Sequence, residues 1–523
     1  MAVSQRIAMM NLAGGLGSRL YPLTARPGAS AHDMRKRSLN IGSVNLNAMP
    51  KPLAPLADTP LMLPLAQRVA SSCGVEDIGM ALMYMPDDIR AFFGPNMSSL
   101  RKGTGGSFYW EHQKEHNLDT AGCLVRGWLQ NMSTNEHGSV RGSSDHYIVV
   151  SGDIRADADI SDMLDEHISH NALVSIGLSP VPWEQVGRFG TVMRKGDKYR
   201  NGDRNVLYRG GKYSAIIGFQ EKNPDAKSNL NNASIYIFSR RFFELVHGDV
   251  QVEANRNTET YHNDLTDEHG RNFRSGIFSE RLLRKGTIRE GQVNPHFSDW
   301  AKHVFADMTI HHPEIYAPQT PSDPHGFYGY LLDGLWADDG TLTALLESSH
   351  EFLYERGGFE EAHDFSWWPN NASSFVADES GNRIFLGQNT RVSNDARIIG
   401  PCYIGDNVIV DAGATIINSV INGASNGRAW RIGKGAWING SVLWPDRSAL
   451  GLPATENCLE YALQDTALDN CILGGGFPRR GRDNVFCFDD DAAYHYMGSD
   501  VLAFKDSVIV PNADYEMVVR ELD

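Results

Sequence analysis

Gly14, Gly15 and Gly17 crowd into one short turn directly after the apolar run 7–13, and Arg19 follows two residues on. Glycines this close let a backbone turn sharply and leave its N–H groups exposed. Such a turn ahead of a helix N-terminus suits an anion. The Arg19 guanidinium would add a planar, permanently charged fork for phosphate oxygens. No Gly-Lys-Ser/Thr follows, so the turn is not a P-loop, and the third glycine of a dinucleotide fingerprint is absent. The glycines alone fit an ordinary strand-to-helix turn about as well. Two acids stand out further on. Asp153 closes the apolar stretch 147–152, and Asp338 opens the acidic turn Asp338-Asp339-Gly340. A lone acid at a strand end is most often a turn or cap residue. The pair Glu221-Lys222 has no meaning by itself, because most such pairs are solvated.

Alternating strands and helices must position these groups. Residues 7–13 read as a buried strand feeding the glycine turn. Apolar residues at helical spacing run from 60 to 70 and stop at Gly74, a C-cap glycine. Residues 78–83 form a short strand and 87–93 a short helix. Further strands lie at 147–153 and 173–179, and a helix at 342–354. This order predicts a doubly wound α/β sheet, in which ligands sit at the carboxyl ends of the strands, where the glycine turn lies.

The motifs, taken together, resemble the sugar-1-phosphate nucleotidyltransferases, a family that includes mannose-1-phosphate guanylyltransferases and glucose-1-phosphate adenylyltransferases. The resemblance is carried by Gly14-Gly15-Leu16-Gly17-Ser18-Arg19, Lys51-Pro52-Leu53, Leu118-Asp119-Thr120-Ala121-Gly122 and Gly152-Asp153. It continues through Gly187-Arg188-Phe189-Gly190, Phe219-Gln220-Glu221-Lys222, Ala233-Ser234-Ile235-Tyr236, the segment 297–302 and Trp336-Ala337-Asp338-Asp339-Gly340-Thr341. It implies that Leu12, Ala13, Gly14, Gly15, Gly17, Ser18 and Arg19 hold a nucleoside triphosphate, with Gln113, Thr120 and Gly122 near its base and sugar. It places Lys51 on the phosphates, and Gly190, Glu221, Lys222 and Ser234 around the sugar phosphate. Asp153 and Asp338 become ligands of Mg2+. Arg19, Lys51, Asp153, Lys222 and Asp338 would then carry catalysis, by position and charge.

The sequence departs from the family pattern at several points. Ser18 replaces a threonine, Asp119 and Ser234 replace glycines, and the insert 25–50 separates the glycine turn from Lys51. The insert, with Arg35-Lys36-Arg37, reads as a flap over the phosphates or as a surface loop. A second insert spans about 250–294.

From Leu386 the chain repeats every six residues. Leu386, Val392, Ile398, Ile404, Val410 and Ile416 hold one position. Thr390, Ala396, Cys402, Val408, Ala414 and Val420 hold the position four later. This period marks a parallel β-helix. It breaks at 422–431, read as an insertion containing Arg428, Trp430 and Arg431, and resumes with Ile432, Ala436, Ile438 and Val442. Two to three coils are expected. No histidine falls between His363 and His495, which disfavours an acyltransferase run from the coils.

The expected architecture is thus α/β: a Rossmann-like nucleotidyltransferase domain over 1–360, a linker over 361–385, a left-handed parallel β-helix of hexapeptide repeats over 386–450, and an extension over 451–523 of unassigned role. The net charge of −16 argues against nucleic acid and anionic membranes as partners. The six cysteines contain no Cys-x-x-Cys pair and read as reduced thiols of a cytoplasmic protein. No signal peptide or membrane span is visible. Expected partners are a nucleoside triphosphate and a sugar 1-phosphate, with a homo-oligomer formed through the β-helix. Within the resemblance, Thr120-Ala121-Gly122 stands where the adenylyltransferases usually carry Thr-Ala-Asp, which implies GTP and mannose 1-phosphate. The alternatives are ATP or UTP with glucose 1-phosphate, and a non-catalytic regulatory subunit.

Overall fold

The computed structural model describes residues 5–25, 45, 47–57, 59–100, 106–111, 120, 123–124, 127–128, 131, 144–199, 206–247, 305, 320, 324–355, 374–424, 429–444, 447–452, 459–460, 462–474, 477–478, 486–488, 502–511 and 517–522. Most of both inserts, the segment 297–302, the linker up to 373, and Gln113, Asp119 and Gly122 lie outside the described residues.

The N-terminal part is built on a mixed nine-stranded sheet. Its strands are β1 (Ile7–Leu12), β2 (Val75–Leu82), β3 (Ser107–Glu111), β4 (His146–Ser151), β6 (Ala172–Pro180), β7 (Gly190–Arg194), β8 (Tyr213–Glu221), β9 (Leu230–Ser239) and β10 (His325–Leu331). The order across the sheet is β3-β2-β1-β4-β9-β6-β10-β8-β7. β3, β2, β1 and β4 run parallel, and β9 enters antiparallel between β4 and β6. Two short strands stand apart, β5 (Ile154–Ala156) and β11 (Trp336–Asp338), paired antiparallel with Asp338 opposite Ile154.

β1 is buried on both faces. Ile7 and Met9 enter one core cluster, Ala8 and Met10 the other. Such two-sided burial explains its continuous apolar run. Helices α1 (Leu63–Ser72), α2 (Pro86–Phe93), α3 (Ile160–Ser169), α4 (Arg240–His247) and α5 (Leu342–Glu355) cover the sheet and its margins. α1 ends at Cys73 with Gly74 at φ +61, the left-handed C-terminal position the sequence predicts. α3 is capped by Asp159, whose carboxylate accepts the N–H groups of Ser161 and Asp162.

One expected helix is absent. The glycine turn runs into a single 3-10 turn, Ser18–Leu20. The residue before a proline is pushed towards extended backbone, and Tyr21, ahead of Pro22, takes ψ 138.

The C-terminal part is a left-handed parallel β-helix with three faces, forming sheets of nine, four and five strands. Its coil is 18 residues, three hexads: Ile384 pairs with Cys402, Arg397 with Thr415, and Asn389 bonds Asn407 at 3.2 Å along a ladder of like residues. Ile404, Val408, Val410, Ala414 and Ile416 are buried inside, as the hexads require. Two expectations are corrected. Trp430 and Arg431 belong not to an insertion but to the ladder strand Trp430–Ile432, paired with Val408–Val410, and Trp430 is fully buried. The helix also does not end at 450. Thr466–Asp469, Ile472–Leu473, Leu502–Lys505 and Ser507–Pro511 extend the same ladders, giving more coils than the two to three expected. The hexad pattern fades there because segments between the strands interrupt its spacing.

The two parts share a core. Phe385, Tyr403, Val442, Trp444 and Ile472 pack in one cluster with Leu20, Leu23, Leu342 and Leu345. Arg447 crosses the junction. Its backbone N–H donates to Asn47 Oδ1 at 3.0 Å and its guanidinium pairs with Asp88 at 2.6 Å and with the Ala48 carbonyl. The described residues contain no helix long and apolar enough to cross a membrane.

Candidate active site

The carboxyl ends of β1, β2 and β4 open into a cleft of about 400 Å³. Leu12, Gly14, Gly15, Gly17, Ser18, Arg19, Lys51, Thr120 and Asp153 line it, as do Ala81, Met83, Cys123, Ser151 and Gly340. Ala13 is buried behind the turn. Gly17 sits at φ +62, and a Cβ there would lie 3.0 Å from Lys51 Cβ, so glycine both permits the turn and brings it against the lysine. A Cβ on Gly15 would meet nothing within 4 Å, which leaves the middle of the turn open to a ligand.

Lys51 begins a 3-10 turn, Lys51–Leu53, stiffened by Pro50 and Pro52, and is 5% exposed. Its Nζ lies 2.5 Å from Asp153 Oδ2 and 3.9 Å from Asp338 Oδ1. Arg19 Nη1 lies 3.4 Å from Asp338 Oδ2. Two cations and two carboxylates from four distant points of the chain therefore form one cluster. Gly340 makes room for it, since a Cβ there would lie 2.5 Å from Asp338 Oδ1 and 2.7 Å from Arg19 Nη2. The strand pair β5–β11 is what joins the carboxylates, because it sets Asp338 opposite the residue that follows Asp153. Burial pushes the Asp153 carboxyl up, but the Lys51 ammonium, its hydrogen bond, Ser151 and Arg19 outweigh it and hold the group below the usual carboxylate range.

The four residues expected at the sugar phosphate do not line this cleft. Gly190, Glu221 and Lys222 form a second group. Gly190 lies under Glu221, where a Cβ would stand 2.6 Å from Oε2. Lys222 Nζ is 4.0 Å from Glu221 Oε1, and 59% of its side chain is exposed. Ser234 sits in an irregularity of the β9–β6 ladder at φ +57, its N–H donating to Asn232 Oδ1 at 3.1 Å. The serine therefore occupies a left-handed backbone position that glycine would hold without strain. Trp336 connects the two groups. It donates from Nε1 to the Ala233 carbonyl at 2.9 Å, stacks edge-on against Phe189, and lies two residues before Asp338.

Trp336, Gly340, Ser151 and Arg155 were not singled out from the sequence. Trp336 and Gly340 stand inside a motif quoted above, so that signal was available. Ser151, a cleft residue whose hydroxyl donates to Asp153 Oδ1, and Arg155 gave none.

A family model described as "Nucleotidyl transferase" matches residues 47–355. The glucose-1-phosphate adenylyltransferase of Bacillus thuringiensis (strain Al Hakam) is 23% identical over 433 residues, covering 80% of this chain and 88% of that protein. The protein of the same name from Bacillus cytotoxicus is 22% identical over 457 residues, covering 85% and 93%. A solved Bacillus anthracis chain, described as a glucose-1-phosphate thymidylyltransferase in complex with sucrose, aligns at 17% identity over 66% of this chain and 94% of that one, with a TM-score of 0.37.

Proposed function

The chain belongs to the nucleotidyl transferase family, and from that premise we propose that it transfers a nucleoside monophosphate from a nucleoside triphosphate to a sugar 1-phosphate with release of pyrophosphate, with ATP and glucose 1-phosphate as the pair. The observation that carries this reading is the cluster of Lys51, Arg19, Asp153 and Asp338 at the mouth of the glycine turn. The names of the relatives favour adenylyl transfer to glucose 1-phosphate over the guanylyl transfer that Thr120-Ala121-Gly122 suggests.

In this reading an oxygen of the sugar 1-phosphate attacks the α-phosphorus in line, and the bond to the β-phosphate oxygen breaks as pyrophosphate leaves. Little covalent chemistry falls to the protein, so positioning and charge neutralisation dominate. Leu12, Gly14, Gly15, Gly17, Ser18 and Thr120 bind the nucleotide, and Arg19 and Lys51 are the cations its phosphates recruit. Gly190, Glu221, Lys222 and Ser234 hold the sugar phosphate.

The residues fit Mg2+. Asp153 and Asp338 already converge on a single positive charge, the Lys51 ammonium. No described group gathers three or more acidic, histidine or cysteine ligands. A pair of carboxylates completed by substrate phosphates and water is the arrangement Mg2+ favours over an all-protein cage. Bound there, Mg2+ would neutralise phosphate charge. Self-association through the β-helix also belongs to this proposal, and size-exclusion with light scattering reads it directly.

The test is pyrophosphate release with Mg2+, crossing ATP, UTP, GTP and dTTP with glucose, mannose, galactose and N-acetylglucosamine 1-phosphates. ATP with glucose 1-phosphate should lead, and Asp153→Asn should abolish the signal while remaining folded. Turnover retained in that variant refutes the site. Silence across the panel refutes the activity.

A further inference from the structure

The slot after Asp338 holds a second acid, and the chain turns it inward. Asp338 faces Lys51 and Arg19, whereas the Asp339 side chain is 1% exposed. A carboxylate taken out of water needs a partner. It finds one in Arg155, two residues beyond Asp153, whose Nε lies 3.3 Å from Asp339 Oδ2. The same guanidinium donates from Nη2 to Ser348 Oγ and to Glu351 Oε2 on α5, both at 2.9 Å. Ser348 Oγ in turn donates to the other Asp339 oxygen. One arginine therefore ties three segments: β5 beside Asp153, the corner after Asp338, and the helix that follows. Its planar fork makes these contacts in fixed directions, which a lysine would not. The strand pair β5–β11 spans three registered residue pairs, continued by the Asp157 N–H donating to the Leu335 carbonyl, and Arg155 adds a side-chain tie to that short ladder.

We propose that Arg155 is a positioning residue for the divalent cation. By pairing with buried Asp339 and anchoring on Ser348 and Glu351, it fixes the separation of Asp153 and Asp338. This rests on the metal assignment above. Partners that orient metal ligands without touching the metal are commonly worth about 10–100-fold in affinity.

The experiment is Mn2+ binding by electron paramagnetic resonance on the full chain, with and without ATP, beside pyrophosphate release titrated with Mg2+. Arg155→Met should raise the Mn2+ dissociation constant by about 10–100-fold. It should raise the Mg2+ needed for half-maximal rate by a similar factor, and leave the KM for ATP at saturating Mg2+ near the parent value. Arg155→Lys should recover part of the loss. If Arg155→Met does not fold, Asp339→Asn keeps the shape, removes the charge partner, and should shift Mn2+ binding in the same direction. Parent-like Mn2+ binding in Arg155→Met, or in Asp339→Asn where Arg155→Met does not fold, overturns the proposal even if stability falls. Mn2+ binding in the parent that Asp153→Asn abolishes but Arg155→Met retains overturns this inference alone. No Mn2+ binding in the parent overturns the metal assignment with it.

Discussion

Replacing Lys51 with methionine removes an ammonium that lies within 4 Å of both carboxylates. At an effective dielectric of about 20, unit charges at the observed 2.5 Å and 3.9 Å attract by about 7 and 4 kcal/mol. Most of that is offset by the desolvation of a lysine that is 6% exposed, and Asp153 keeps 32% of its side chain in solvent. The expected net effect of Lys51→Met is a loss of about 2–3 kcal/mol in unfolding free energy, read from urea titrations at pH 7. The pH dependence follows from the sign of the Asp153 shift. Its folded carboxyl lies below the ordinary range, so it contributes stability above that range and loses it as pH falls through the folded value. Lys51→Met should flatten that acid limb. A divalent cation entering the parent protein must displace the ammonium, whereas in the variant it enters a pair of carboxylates that has lost one of the two cations of the cluster. Millimolar Mg2+ or Mn2+ should therefore raise the melting temperature of the variant more than that of the parent, although turnover is lost. Equal stability together with equal cation shifts would refute the reasoning, because Lys51 would then not be the counter-ion of this pair.

Ser234→Gly should stabilise the fold by about 1 kcal/mol, since it relieves a left-handed serine at φ +57, and a lower denaturation midpoint would contradict the strain argument. His146 and His167 meet edge to face with ring centroids 5.1 Å apart. Burial lowers both pKa values, that of His146 to about 4. A depressed histidine contributes stability above its unfolded pKa of about 6.5 and loses it as pH falls. From pH 7 to pH 5, His146 alone should cost about 2 kcal/mol. The variant His146→Leu should show a shallower pH slope in chemical denaturation, and an unchanged slope refutes the assignment. Arg447→Met would strand Asp88, 7% exposed, and remove the guanidinium contact to the Ala48 carbonyl in the segment that leads into Lys51. It should cost about 3–5 kcal/mol in thermal or chemical unfolding and raise the KM for ATP. A variant with parent stability would mean the junction does not depend on this pair.

The two halves of the chain were unequally legible. The hexads from Leu386 to Val420 fixed the β-helix because a coil of like turns repeats its inward positions in sequence. Trp430 reads as part of an insertion because the break at 422–429 shifts the register, and only the ladder to Val408–Val410 shows where it resumes. The strands past 450 were missed for the same reason. In the first half, β1, β2, β4, α1 and α5 were visible from apolar period and caps, within a residue or a few of their observed ends. The helix after the glycine turn was not excluded, although Pro22 stood in the sequence to exclude it.

What the sequence alone determined is local. The close-spaced glycines define a turn, an acid closes a buried strand, and six-residue periodicity builds a coil. Each follows from backbone sterics or from burial of neighbouring residues. What only the tertiary structure decided is the pairing of charges across the chain. Arg19 meets Asp338 across 319 residues and Lys51 meets Asp153 across 102. Asp339 turns away from the cluster to meet Arg155. Ser234, which in the sequence is simply a hydroxyl in place of a glycine, proves to be a strained backbone position. These outcomes depend on which strand ends adjoin in the sheet and on which side of a short strand pair a side chain emerges. Burial then makes each charge find a partner, and no spacing along the chain records that choice.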